Sequence, residues 1–168
     1  MKNSKEIIAF AMNMEQQGQK FYESFMHQVD NPDAKKWFEI LAETEKEHYE
    51  ILKNQLDQLN TDGAWLLPED MPPINDPGLF QHRQASEEVD PEEQKYSLSD
   101  LTVLRMAYLI ENDFAEFYKK SMDQVEDPAG KQMLHTLFEW ENEHRRVFYD
   151  EYKKAMESNW FDQSFAPF

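Results

Sequence analysis

Apolar positions along the chain fall in steps of three and four over two long stretches, with an irregular middle between them. In the first stretch Ile7, Ala11, Met14, Gly18, Phe21, Phe25 and Val29 share one face of a predicted helix. Asn31-Pro32 then reads as a break and a new start, with Asn31 capping and Pro32 in the first turn, where its missing N–H is harmless. The second predicted helix carries Phe38, Leu41, Leu52, Leu56 and Leu59 on one face. The pattern stops over 60–97, where Gly63, Pro68, Pro72, Pro73, Pro77, Gly78 and Pro91 gather. It resumes at Leu98, with Ser97 or Ser99 as cap, through Leu104, Ala107, Phe114 and Val125. Asp127-Pro128 repeats the break, and Leu134, Leu137, Phe148, Tyr152 and Ala155 mark a fourth helix.

These elements predict an all-α, ferritin-like four-helix bundle formed by one domain over 1–168, with helix pairs at 4–59 and 98–156 joined by a crossover at 60–97. A connection that long needs a topological reason. Running the length of the bundle supplies one, and it sets the second and third helices parallel. A helix of about 26 residues spans ~39 Å at ~1.5 Å per residue, well within the reach of such a strap. The tail at 157–168 holds Trp160, Phe161, Phe165 and Phe168, which either fold back over the bundle or pack on a second subunit.

Composition narrows the function classes. Acidic residues number 34 against 17 basic, a formal charge of −17. Nucleic-acid affinity rests on neutralising phosphates with Lys and Arg, so neither DNA, RNA nor an anionic membrane surface is an expected partner. With no cysteine, disulfides, thiolate catalysis and Cys-ligated zinc or iron–sulfur centres are excluded. Four glycines are too few for phosphate-cradling loops. Glu6 interrupts the apolar stretch of Met1–Met14, which has no small-residue cleavage site, and no run of ~18 apolar residues exists. A cytoplasmic location is the expectation.

Sliding the chain by 96 positions lays the first helix pair on the second without a gap. Phe21-Tyr22 falls on Phe117-Tyr118, Pro32 on Pro128 and Leu41 on Leu137. Glu15 falls on Glu111, Glu45 on Glu141 and His48 on His144. These polar matches lie within apolar seams: Leu41, Glu45, His48, Leu52 on the second helix and Leu137, Glu141, His144, Phe148 on the fourth. Glu15 sits between Ala11 and Gly18, and Glu111 between Ala107 and Phe114. Four carboxylates and two imidazoles thus point inward at one level. Unpaired buried carboxylates cost several kcal/mol each, so the array needs cations to hold it. Two divalent ions match four carboxylates in charge, with two neutral imidazoles completing coordination. A Glu from each of two helices plus Glu-x-x-His from each of the others is the di-iron or di-manganese arrangement of ferritin-like bundles. Imidazoles must be neutral to bind, and an ordinary pKa near ~6.5 predicts that metal affinity falls below about that pH.

Other residues read differently. The repeat does not select His27 or His135, and His82 lies in the crossover, so all three are expected to face solvent. Glu43, Glu47, Glu139 and Glu143 form a solvated acidic face. Tyr22 and Tyr118 lie two turns beyond Glu15 and Glu111 on the same faces, and serve either as core packing or as hydrogen-bond donors to a ligand carboxylate. At one inner position the repeat is lopsided, with Gly18 falling on Phe114. Glycine within a helix costs ~0.5–1 kcal/mol relative to Ala. Gly18 therefore predicts either close approach of a bulky neighbour or an opening beside Glu15 for small oxidants.

On these residues the chain resembles the rubrerythrin-like branch of the ferritin-like di-iron carboxylate proteins, over roughly 4–59 and 98–156. The resemblance implies that Glu45 and Glu141 bridge two irons, Glu15 and His48 completing one position and Glu111 and His144 the other. It implies reaction of a ferrous pair with peroxide or dioxygen, by peroxide reduction or ferroxidase activity. Two departures stand out. Full rubrerythrins carry a Cys-ligated rubredoxin iron, absent here, so electrons would come from a separate donor protein. They also place a further Glu three residues after the third-helix ligand, where this chain has Phe114.

The expected function is a di-iron oxidoreductase, with manganese as the other metal these ligands accept, and a homo-oligomer, by preference a dimer, as the assembly. Iron storage without turnover is the rival reading and requires a hollow multi-subunit shell. A metal-free interaction bundle would require protein purified without metal.

Overall fold

The computed structural model describes residues 2–71 and 95–162. Most of the crossover, with His82, and Phe165 and Phe168 of the tail lie outside them. The described chain forms α1 (Lys2–Phe25), α2 (Pro32–Thr61), a single 3-10 turn (Pro68–Asp70), α3 (Leu98–Met122) and α4 (Pro128–Asp162). Both Pro-led helices start as their sequences dictate. The Asn31 side chain accepts from the N–H groups of Asp33 and Ala34 at 3.0 and 2.9 Å. Asp127 accepts from Ala129 and Gly130 at 2.8 and 3.4 Å. Of the two candidate caps for α3 the structure uses Ser97, in a reciprocal capping box with Asp100.

One difference concerns the end of α4, which runs on through Asp162 rather than stopping near 156. No Gly or Pro interrupts this stretch, and the Asn159 amide ties it down by donating to Ala155 O and Tyr96 O at 2.8 and 3.1 Å. The first part of the expected tail is therefore helix, with Trp160 exposed upon it.

α1 pairs with α2 and α3 with α4 as two hairpins. Contacts at the two ends orient one hairpin against the other. Asp100 at the start of α3 accepts from the N–H groups of Asp30 and Asn31 at 2.7 and 3.2 Å, and from that of Ser97 at 2.9 Å. The α1–α2 turn thus sits beside the first turn of α3. At the far end Trp65, just past α2, lies on Gly130 in the first turn of α4, where even a Cβ would come within 2.4 Å of the indole. The start of α2 therefore meets the start of α3, and the two helices run parallel, as the long crossover requires.

The apolar core divides into two layers. One is built around Tyr22, Phe38, Leu41, Leu104 and Phe148, the other around Ile8, Leu52, Tyr118, Leu134 and Leu137. Between them, near the middle of all four helices, lies a layer of polar side chains.

Candidate metal centre

The polar layer holds Glu15 of α1, Glu45 and His48 of α2, Glu111 of α3, and Glu141 and His144 of α4. Five of these are 0% exposed, and His144 is 4% exposed. On α2 and α4 the Glu-x-x-His spacing sets each carboxylate and imidazole on one face, one turn apart.

The two imidazole Nδ1 atoms organise the cluster. His48 Nδ1 lies 3.5 Å from Glu15 Oε2, 3.4 Å from Glu45 Oε2 and 3.1 Å from Glu141 Oε1. His144 Nδ1 lies 3.7 Å from Glu45 Oε1, 3.5 Å from Glu111 Oε2 and 3.3 Å from Glu141 Oε2. The six residues thus form two overlapping groups of four, each with donor atoms within 4.8 Å of one another. Glu15, Glu45, His48 and Glu141 make one group, and Glu45, Glu111, Glu141 and His144 the other.

Each outer carboxylate divides its oxygens between two tasks. Glu15 turns Oε2 toward the cluster while Oε1 accepts from the Tyr118 hydroxyl of the opposite hairpin. Glu111 does the same, its Oε1 accepting from Tyr22. Of the two roles open to these tyrosines, the structure shows them donating to cluster carboxylates, each across the bundle rather than along its own helix.

Electrostatics show how strongly the layer attracts positive charge. Burial disfavours the imidazolium form, yet Glu141 and the neighbouring carboxylates raise His48 well above its ordinary pKa. His144 is likewise raised to about 9 against the pull of burial, by Glu111 and Glu141. Burial, then the charges of Glu141, Glu15 and Glu111, drives Glu45 well above the carboxylate range. Burial also lifts Glu111, to about 7, in spite of His144. Glu141 is buried too, but the two imidazoles flanking it hold it below the ordinary range. Burial, then the adjoining carboxylates, raises both tyrosines well above 10.0, so they remain O–H donors.

The donor set fits a pair of divalent cations. Glu15 Oε2, both oxygens of Glu45 and of Glu141, Glu111 Oε2 and both Nδ1 atoms are buried without a hydrogen-bond partner. Eight converging donor atoms left unpaired would be severely destabilising in a bundle built to hold nothing. Ligation satisfies all of them together, and two divalent ions balance the four carboxylates.

The remaining candidates lie elsewhere. His27 and His135 are exposed, the latter 3.9 Å from Glu139. Glu43, Glu47 and Glu139 face solvent, and the half-buried Glu143 pairs with Arg146 at 3.2 Å. The space beside Gly18 is taken by a neighbouring ring. A Cβ there would lie 3.0 Å from Phe114 Cε2 and 3.5 Å from Glu45 Cγ, because the Phe114 ring reaches across from α3 and fills the notch. Of the two readings of Gly18, close approach is the one the structure shows.

The periodicity did not single out Trp140, whose indole stacks on His48 at 5.1 Å and 16°. The available signal was its place on α4, one residue before Glu141 and one turn before His144, where the repeat has Thr44.

No described helix is long and apolar enough to cross a membrane. No curated protein and no solved structure gives a significant match. A family model for rubrerythrin matches residues 6–152, which takes in α2 and α3 whole, most of α1 and α4, and every residue of the polar layer. The chain belongs to the rubrerythrin family.

Proposed function

We propose that the protein is a di-iron carboxylate oxidoreductase that reduces peroxide or dioxygen, acting in the cytoplasm as a homo-oligomer. One observation carries this reading: Glu45 and Glu141 each turn one oxygen to His48 Nδ1 and the other to His144 Nδ1. A carboxylate that spans two cations is disposed in this way. Glu15 and His48 would complete one position, Glu111 and His144 the other, with Glu45 and Glu141 bridging. Manganese is the alternative metal for such a set. A ferrous pair held by these residues would supply two electrons, one per ion, the number that with two protons takes one hydrogen peroxide to two waters and leaves both irons ferric.

The chain's own residues supply the setting. The apolar layers on either side keep bulk water from the carboxylates, which strengthens every charge interaction there. Tyr22 and Tyr118 fix the outer carboxylates by donating to one oxygen of each, which directs the other oxygen inward. Both phenols keep their protons, so each presents a buried O–H group in direct contact with an outer carboxylate. Electrons for repeated turnover would come from a separate donor protein, since a chain without cysteine cannot hold a Cys-ligated iron of its own.

Metal analysis of the native protein, followed by stopped-flow spectra of the ferrous form with peroxide and with dioxygen, tests the proposal. About two irons per chain are expected, with about one peroxide consumed per pair before reaction stops. Protein purified without metal, or sustained turnover with a nicotinamide donor and no carrier protein, would overturn it. Sedimentation as a hollow multi-subunit shell would favour iron storage.

A further inference from the structure

A metal-ligating histidine is ordinarily held in place through its second ring nitrogen, which donates to a carboxylate, a carbonyl or water. His48 has no such anchor among the described residues. Its Nδ1 faces Glu15, Glu45 and Glu141, and its buried Nε2 has no hydrogen-bond partner. What holds the ring is stacking. Trp140 and His144 stand four residues apart on α4, hence on one face in successive turns. The His48 ring comes in from α2 against both of them, 5.1 Å and 16° from the Trp140 ring and 5.6 Å and 11° from the His144 ring. Near-parallel rings at these separations have the offset-stacked geometry that aromatic pairs favour. A ring stacked against two others resists turning about its Cβ–Cγ bond, the rotation that would carry Nδ1 away from the three carboxylates.

The other half of the repeat lacks this device. Where α4 has Trp140, α2 has Thr44, whose hydroxyl donates to Ile40 O of its own helix at 3.0 Å. Among the described residues the ring stacked on His144 is His48. We propose that Trp140 is a positioning residue that fixes His48 by stacking, so that the position built from Glu15, Glu45, His48 and Glu141 is preorganised and fills first. The position built from Glu45, Glu111, Glu141 and His144 fills second. This inference rests on the reading of the polar layer as a two-metal centre.

The test is an anaerobic titration of metal-free protein with ferrous ion, following bound iron by equilibrium dialysis and indole emission by fluorescence. Wild-type protein should load in two steps, with quenching of indole emission concentrated in the first. Trp140→Phe keeps a flat ring and should retain the stepwise loading while losing most of that quenching. Trp140→Leu should weaken the first step by about tenfold or more, the usual consequence of removing a group that orients a ligand, and change the second by much less. Wild-type affinities in Trp140→Leu, or an equal loss in Trp140→Phe, would overturn the inference while leaving the two-metal reading intact. Failure of the wild-type protein to bind ferrous ion would overturn both. A measurement that needs no variant guards against misfolding of Trp140→Leu. In the histidine proton spectrum of the wild-type protein, the His48 ring protons should be shifted upfield by the indole ring current. Ordinary positions for those protons would also overturn it.

Discussion

The Phe114 ring of α3 lies against Gly18 of α1, so close that a Cβ at position 18 would be 3.0 Å from Cε2 and 3.3 Å from Cζ. The same Cβ would be 3.5 Å from Glu45 Cγ, which couples this contact to a central carboxylate. Gly18→Leu should therefore destabilise the bundle by about 1–3 kcal/mol, the usual consequence of overpacking, and weaken metal loading as Glu45 is displaced. Combining it with Phe114→Ala should recover part of the loss, because the ring that clashes is gone. Chemical denaturation of the two single variants and the double variant measures this coupling, and strict additivity would show that the contact is not the cause.

The crossed tyrosines make a prediction that depends on which helix each one serves. Tyr22 stands on α1 but donates to Glu111, and Tyr118 stands on α3 but donates to Glu15. Tyr22→Phe should weaken the metal position of Glu111 and His144, and Tyr118→Phe that of Glu15 and His48, each by roughly 10–100-fold. Site-resolved titration with a paramagnetic divalent ion distinguishes the two. The reverse assignment would mean that each tyrosine supports its own helix.

Glu45→Ala and Glu141→Ala should each reduce binding at both metal positions, since each carboxylate faces both imidazoles. Glu15→Ala should chiefly weaken one. A metal content near two in the Glu45→Ala protein would contradict the bridging role.

Acidity should act on the metal-free and loaded proteins in opposite senses. An unfolded histidine titrates near 6.5, whereas folded, metal-free His144 is raised to about 9. The stabilisation it brings is complete below 6.5 and is lost as pH rises through about 9. Glu111 adds to the trend, since a carboxyl raised from 4.5 to about 7 favours the folded state when protonated and loses that advantage between those values. Metal binding must expel these protons, so affinity should keep rising up to about pH 9, well above the range near 6.5 that an ordinary histidine implies. Melting temperatures with chelator and with ferrous ion, taken at pH 6 and pH 9, should show the gap between the two forms widening. Parallel curves would refute the coupling.

Much of this was legible in the sequence because burial leaves a periodic trace. The stride of Leu41, Glu45, His48 and Leu52 puts two polar side chains where an α2 core face requires apolar ones, and the repeat returns the same stride at Leu137, Glu141, His144 and Phe148. What could not be read depends on how helices face one another. Tyr22 lies on the same face as Glu15, yet its partner is on α3, a choice set by the packing of two hairpins. Phe114 follows Glu111 by one turn, but its ring crosses to α1 because Gly18 leaves room. Trp140 has no periodic signature of its own, and its importance appears only when His48 arrives from α2. The extension of α4 to Asp162 was hidden for a simpler reason: polar Glu157, Ser158 and Asn159 blur the apolar stride without stopping the helix.

The grouping of the six residues has a consequence for how such a chain could arise. One hairpin supplies Glu15, Glu45 and His48, and borrows Glu141; the other supplies Glu111, Glu141 and His144, and borrows Glu45. Each half thus holds three of four donors and lends one, an exchange that is reciprocal through Glu45 and Glu141. An isologous dimer of identical hairpins has this layout, with each copy giving what it takes. Joining two copies in one polypeptide keeps the reciprocity while freeing either half to diverge. Gly18 against Phe114, Thr44 against Trp140 and Ala34 against Gly130 are sites where the halves have parted. An obligate symmetric dimer could not make the surroundings of one group of four differ from those of the other in this way, because every substitution would appear at both.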